Sequence, residues 1–326
     1  MKSNRSQRFS LRCCCILMAL VANCAFAATD TNSIQWVQLS PAVSPSPRSY
    51  MAMAYDPMTG KTTMFGGFDG SSYLNDTWIF DGTNWTQVTT PIAPPARVNT
   101  QMAFDLPTRR IVLFGGFDGH YLGDTWIWDS ETLQWTQAAP THSPPAVTGP
   151  MLFNDPNGSV DVFGGFDGHF YQLTMWQWTG SDWNQLSMPD VPYARSSAAV
   201  GLDPFTRKVV MFGGLADVNP INTWTYNRRT WTLQSPPEQP LLVYGPSTAF
   251  DRNLKSVIMF GGASGGYAQN TTWRWSGSTW NQLHATQSPP RREGAGISSD
   301  PTAGHLVIFG GQDGNTFLGD TWELLP

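Results

Sequence analysis

Past residue 27 the chain has no cysteine; Cys13, Cys14, Cys15 and Cys24 are all that it contains. Residues 28–326 therefore carry no disulfide, no thiol nucleophile and no thiolate metal ligand. Their fold rests on its own hydrophobic core, for which a chain of this length suffices. Charge is also scarce, with Asp, Glu, Lys and Arg making up 13% of 326 residues. Glutamate past the leader is reduced to Glu131, Glu238, Glu293 and Glu323, which leaves few candidates for carboxylate acid–base chemistry. A second apolar run long enough to span a membrane is missing. So are a Ser-His-Asp signature, a phosphate-cradling loop and a nucleotide fingerprint.

The one uncharged apolar run, Cys13–Ala22, follows Lys2, Arg5, Arg8 and Arg12 and precedes Ala25-Phe26-Ala27. A basic stretch, a short apolar core and a small-x-small site are the parts of a secretory signal peptide. Cleavage near Ala27 is expected, leaving residues 28–326 as one domain in a secreted or periplasmic location. Asn23 before Cys24 argues against lipid attachment there, and no twin-Arg pair precedes the run, which points to general export. The leader holds four basic residues and no acid, so removing it takes the net charge from −5 to −9. A domain this acidic is a poor partner for nucleic acid or an anionic membrane.

What is abundant is Gly (31), Pro (25) and Trp (15). Gly and Pro break helices and mark turns, so many short strands are expected. Glycine pairs fall at 66–67, 115–116, 164–165, 213–214, 261–262 and 310–311, each after a Phe, in steps of 48 or 49 residues. One Trp series follows them (Trp78, Trp126, Trp176, Trp224, Trp273, Trp322), and a second stands at Trp36, Trp85, Trp135, Trp183, Trp231 and Trp280. In the second repeat the pattern predicts strands over Thr100–Phe104, Ile111–Phe114, Thr125–Trp128 and Trp135–Ala138, with a turn at Asp105-Leu106-Pro107.

The unit Arg-x(17)-Gly-Gly-x-Asp-Gly…Asp-Thr-Trp…Trp-x-Gln resembles the kelch repeat and covers nearly all of residues 28–326. The resemblance implies an all-β, six-bladed propeller with four antiparallel strands per blade, a to d from the centre outward. Residues 36–39 read as a strand d with nothing before it, and residues 322–324 as a strand c with nothing after it. The N-terminal outer strand is thus expected to complete the last blade and close the ring. The Trp residues are expected to fill the wedges between blades.

In such blades the d-to-a links and b-to-c loops share one face, the mouth. Arg48, Arg97, Arg195 and Arg292 each precede a glycine pair by 18 residues; Ala146 and Val243 take that place in blades three and five. A guanidinium ring there would suit a carboxylate or other anion, or would pair with loop carboxylates of neighbouring blades. Asp69, Asp118, Asp167 and Asp313 lie in Asp-Gly turns or their equivalents. Asp118 and His120 with Asp167 and His169, on adjacent loops, also have the chemistry of a weak divalent-metal site. Tyr73, Tyr121, Phe170, Tyr171, Tyr267 and Phe317 decorate the same loops, fit either to stack on a ligand or to pack against neighbours.

Kelch propellers mostly bind proteins, and some are enzymes. A copper radical oxidase of the galactose oxidase kind needs a Tyr–Cys cross-link, which the absence of cysteine excludes. The spaced Glu, Asp and His set of the iron-dependent specifier proteins has no counterpart here. The exported N-acetylneuraminate epimerases are the nearest enzymatic parallel, and Glu293, beside Arg292, is the carboxylate placed for such a role. The expected function is an exported scaffold, without cofactor, that binds a protein or glycan ligand at its mouth, an anionic one if the arginines face it. The alternative is an acidic-sugar epimerase or mutarotase.

Overall fold

The computed structural model describes residues 33–325, apart from 228, 242 and 301–303, and the leader lies outside them. All regular structure among the described residues is strand. Four blades are separate four-stranded sheets: Ala52–Asp56 to Trp85–Val88, Gln101–Asp105 to Gln134–Gln137, Met151–Asn154 to Trp183–Leu186, and Ala199–Asp203 to Thr230–Gln234. In the second repeat the observed strands Gln101–Asp105, Arg110–Phe114, Thr125–Asp129 and Gln134–Gln137 fall within one residue of the expected bounds.

Blades five and six share an eight-stranded sheet. Blade five runs through Ser247–Asp251, Ser256–Phe260, Thr272–Trp275 and Trp280–Ala285; blade six through Gly296–Asp300, His305–Phe309 and Thr321–Leu325. The N-terminal strand Ser33–Leu39 completes blade six, pairing antiparallel with Thr321–Leu325 from Gln35↔Leu325 to Leu39↔Thr321. Its first residues also meet blade five in parallel, at Ser33↔His284 and Ile34↔Ala285. The chain ends are thereby sewn together, and neither terminal strand is left as an open edge.

The core is divided among six seams, each a cluster of buried side chains contributed by two adjacent blades. The last of these joins Met51, Met64 and Trp85 of blade one to Val307 and Phe309 of blade six. Strand b is buried on both faces, and mostly apolar in blades two and five, since it lies between two seams. The strand d Trp anchors each seam: Trp36, Trp85, Trp135, Trp183, Trp231 and Trp280 are at most 3% exposed. Five of them donate the indole N–H to a strand c Thr of the preceding blade: Trp85 to Thr321, Trp135 to Thr77, Trp183 to Thr125, Trp280 to Thr223 and Trp36 to Thr272. Blade three has Met175 at that position, and the buried Trp231 Nε1 has no partner.

A second circle closes at the centre. Tyr50, Asn99, Gly149, Ser197, Gly245 and Gly294 each stand in the left-handed region, with φ between 52° and 61°. Each N–H donates to the carbonyl of the residue before it in the ring, from Asn99 on Tyr50 round to Tyr50 on Gly294, at 2.6–3.0 Å. The Tyr50 side chain lies across Gly245 and Gly294, where an added Cβ would come within 3.2 Å and 2.8 Å of its atoms. Glycine there leaves room for the ring of Tyr50 as well as tolerating the backbone conformation.

Candidate functional site

The mouth is framed by buried ion pairs. Arg48, Arg97 and Arg292 are at most 1% exposed. Each grips one carboxylate of its own blade with both terminal nitrogens: Arg48 on Asp76 at 2.5 and 2.8 Å, Arg97 on Asp124 and Arg292 on Asp320 at 2.7 and 2.8 Å. Each also donates to the first glycine of the pair and to the chain two residues back, as Arg97 does to Gly115 O and Pro95 O. The strand c Trp completes the cage, Trp126 Nε1 donating to Asp124 Oδ2 at 2.7 Å. In Asp76, Asp124 and Asp320 burial works against ionisation, yet the facing guanidinium and the indole N–H hold all three below the usual carboxylate range.

Blade four departs in one atom. Arg195, fully buried, meets Asn222 Oδ1 at 3.0 Å instead of a carboxylate. With no counter-charge against its desolvation, its pKa is drawn down to about 10.

The repeat pairs each glycine doublet with the next blade. Gly67 N–H donates to Arg97 O at 2.9 Å, and a Cβ on Gly66 would stand 2.8 Å from that same oxygen. The b-to-c loop of one blade is thus pinned on the d-to-a link of its neighbour, and the links and loops form one continuous face. A family model described as the KLHDC2/KLHL20/DRC7 kelch-repeats domain matches residues 22–165. The remaining blades repeat the same doublets and tryptophans, and blades four and six the arginine. The match and the repeated blades together support a kelch-repeat β-propeller. No curated protein matches it. Scaffolds of this kind are typical of protein–protein interaction. Among the described residues no helix is long and apolar enough to cross a membrane.

The kelch architecture brings the expected arginines together at the mouth but turns them inward. Their donors are engaged within their own blades, not with carboxylates of neighbouring blades, so they do not form an open anion ring. The physical reason is the burial of the link that carries them: an uncompensated guanidinium there would be costly, and Asp-Thr-Trp supplies the partner. Arg291 is the exposed guanidinium of this face among its described residues, against Asp69, Asp118, Asp167, Asp217, Asp313 and Glu293.

The loop aspartates hold turns. Asp69 Oδ1 accepts from the backbone of Ser71 and Ser72, Asp118 Oδ1 from His120, and Asp167 Oδ1 from His169 and Phe170. These backbone donors lower the pKa of Asp69 and Asp167. His120, its side chain 91% exposed, stays 3.5 Å from Asp118 of its own loop. No group of three or more metal-ligating side chains forms among the described residues.

The aromatics divide in two. From blade six to blade three, Phe317, Phe68, Tyr73, Phe117, Tyr121, Phe166 and Tyr171 make an unbroken chain of ring contacts at 4.9–6.1 Å. Tyr121 is therefore packed against Phe166 of the loop beside it, and Tyr171 against Phe166 of its own loop. Beyond Tyr171 the chain stops, because blades four and five carry Leu215 and Ala263 where blades one to three have Phe68, Phe117 and Phe166. In the loops and links from blade three to blade five apolar side chains stand in solvent: Phe170 69%, Tyr193 58%, Leu241 71% and Tyr267 74% exposed.

At the centre, Glu293 accepts from the Tyr50 hydroxyl at 2.8 Å and from Gln312 Nε2 at 3.4 Å. Burial and this carboxylate push the Tyr50 phenol far above its ordinary range, so it stays a neutral donor. Tyr244 is raised for the same two reasons. The sequence reading singled out Glu293 but not its phenolic neighbours, and it passed over Asp76, Asp124 and Asp320.

Proposed function

We propose that this propeller is exported and captures a protein partner at its mouth, over the sector of blades three to five. One observation carries the reading. Phe170, Tyr193, Leu241 and Tyr267 come from loops and links of adjacent blades and are more than half exposed, whereas Tyr73, Tyr121 and Tyr171, at the Tyr267 position of blades one to three, are packed against other rings. Rigid aromatic and branched side chains left in water on an ordered loop are the anchors that interfaces use. The exposed charge around them is acidic, which favours a partner presenting apolar and basic side chains together. The arginines contribute stiffness to the mouth rather than contacts.

Immobilised protein would be exposed to an extract of the producing cells and to a glycan array, in parallel with the variant Phe170→Ser, Leu241→Ser, Tyr267→Ser. A protein retained by the wild type is expected to lose at least about a hundredfold in affinity for the variant. Retention that the triple variant leaves intact would remove this sector as the site. Selective binding of sugars with no protein retained would favour a glycan ligand instead.

A further inference from the structure

On the face opposite the mouth the central channel opens into a vestibule of about 570 Å³. Toward the mouth the channel narrows to a waist of about 130 Å³, then to about 50 Å³ beneath the hydrogen-bonded ring that Tyr50 bridges. The vestibule belongs to the inner strands: Tyr55, Phe104, Phe153, Leu202 and Phe250 make its wall, and Arg252 is its one charged lining residue among those described. Its size lies within the range of small-molecule sites, about 300–1,000 Å³.

The charge around the opening has the reverse sign of the mouth. Lys61, Arg109, Arg207, Lys208 and Lys255 are exposed at or beside the a-to-b turns that surround it. The carboxylates within the same turns, Asp56, Asp105, Asp155, Asp203 and Asp251, are buried and bound to turn N–H groups, such as Asp56 to Met58 and Asp251 to Leu254, while the exposed Asp81 of a c-to-d turn faces Lys61. The opening thus joins an apolar wall to a cationic rim.

We infer that the vestibule binds an amphiphilic carboxylate, its alkyl body against the aromatic wall and its charge among the rim cations. Burial of the body supplies the affinity and the rim selects the sign of the head group. This site is independent of the mouth and of what the mouth binds.

Decanoate, held below its micelle concentration, is the probe, and calorimetry on the purified protein the measurement. Decanol and decyltrimethylammonium would be run beside it. Decanoate is expected to bind at least tenfold more tightly than decanol, with an affinity that falls as salt rises, and the cation is expected not to bind. Leu202→Trp should weaken decanoate at least tenfold by filling the cavity. Thr248→Leu is a gentler second variant: Thr248 lines the waist and its buried hydroxyl has no partner, so the change breaks no hydrogen bond. Lys208→Glu should weaken decanoate severalfold and reduce the salt dependence. The inference is overturned if decanoate does not bind, or if the cation binds equally well. It is also overturned if binding survives Leu202→Trp and Thr248→Leu but is lost in the triple mouth variant.

Discussion

At the residue scale the clearest feature is how differently buried charges are treated from blade to blade. Arg97→Ala would leave Asp124 without its guanidinium and Gly115 O without its donor, and is expected to destabilise the fold by about 3 kcal/mol, measured by denaturant unfolding. Asn222→Asp would give Arg195 the carboxylate that its three counterparts have, and should stabilise by about 1 kcal/mol at pH 7. A carboxylate with a depressed pKa stabilises above its ordinary range, so that gain should vanish as the pH falls below about 4. Asp161 behaves in the opposite sense. It is fully buried beside Asp155, one of its oxygens has no partner, and its pKa is pushed up to about 7 by burial and by the Asp155 charge. The folded state therefore takes up a proton that the unfolded state releases near pH 4, so this group's contribution falls as the pH rises from about 4 to about 7. Asp161→Val restores the residue of blades two, four and six (Val112, Val210, Val307). Its stability relative to the wild type should grow over that interval and level off above it, and a difference independent of pH would refute the assignment.

At the element scale the ring depends on one seven-residue strand. Trp36 is fully buried, donates to Thr272 of blade five and packs against Phe260 at 5.2 Å, while its backbone covers the edge of Thr321–Leu325. Deleting residues 34–39 removes a buried Trp and exposes two blades at once. The melting midpoint is expected to fall by at least ~10 °C, where an ordinary terminal trim would leave it in place. The seam between blades three and four is the other weak point, since Met175 leaves Trp231 N–H unpartnered there and Asp161 stands among its apolar neighbours. Met175→Thr should bring a hydroxyl under Trp231 and test that reading by its effect on the same midpoint.

At the scale of the whole molecule the two faces are chemically opposed. The mouth bears exposed and half-buried carboxylates and apolar anchors; the a-to-b turns of the other face bear exposed lysines and arginines around an apolar vestibule. The strand topology causes this, because every a-to-b turn emerges on one side and every b-to-c loop on the other. Export is the remaining expectation at this scale. The intact mass of protein recovered outside the cytoplasm should correspond to a chain starting at Ala28, and a mass that includes residues 1–27 would count against it.

The fold was legible in the sequence because it is written six times. Glycine doublets, paired tryptophans and the unmatched strands at residues 36–39 and 322–324 determined the blades and their closure, each through a local requirement for a turn, a wedge filler or an edge partner. A correlation that hints at the arginine pairing was also present. Blades three and five lack the Arg, with Ala146 and Val243, and also lack the Asp, with Thr174 and Thr271, while blade four keeps Arg195 opposite Asn222. What the sequence could not reveal was direction. Whether Arg97 faces a ligand or Asp124, whether Tyr171 or Phe170 reaches solvent, and whether the channel is open at one end are set by packing between residues far apart in the chain. Only the tertiary structure decides them, since burial and counter-charge are properties of the neighbours a side chain acquires when the ring closes.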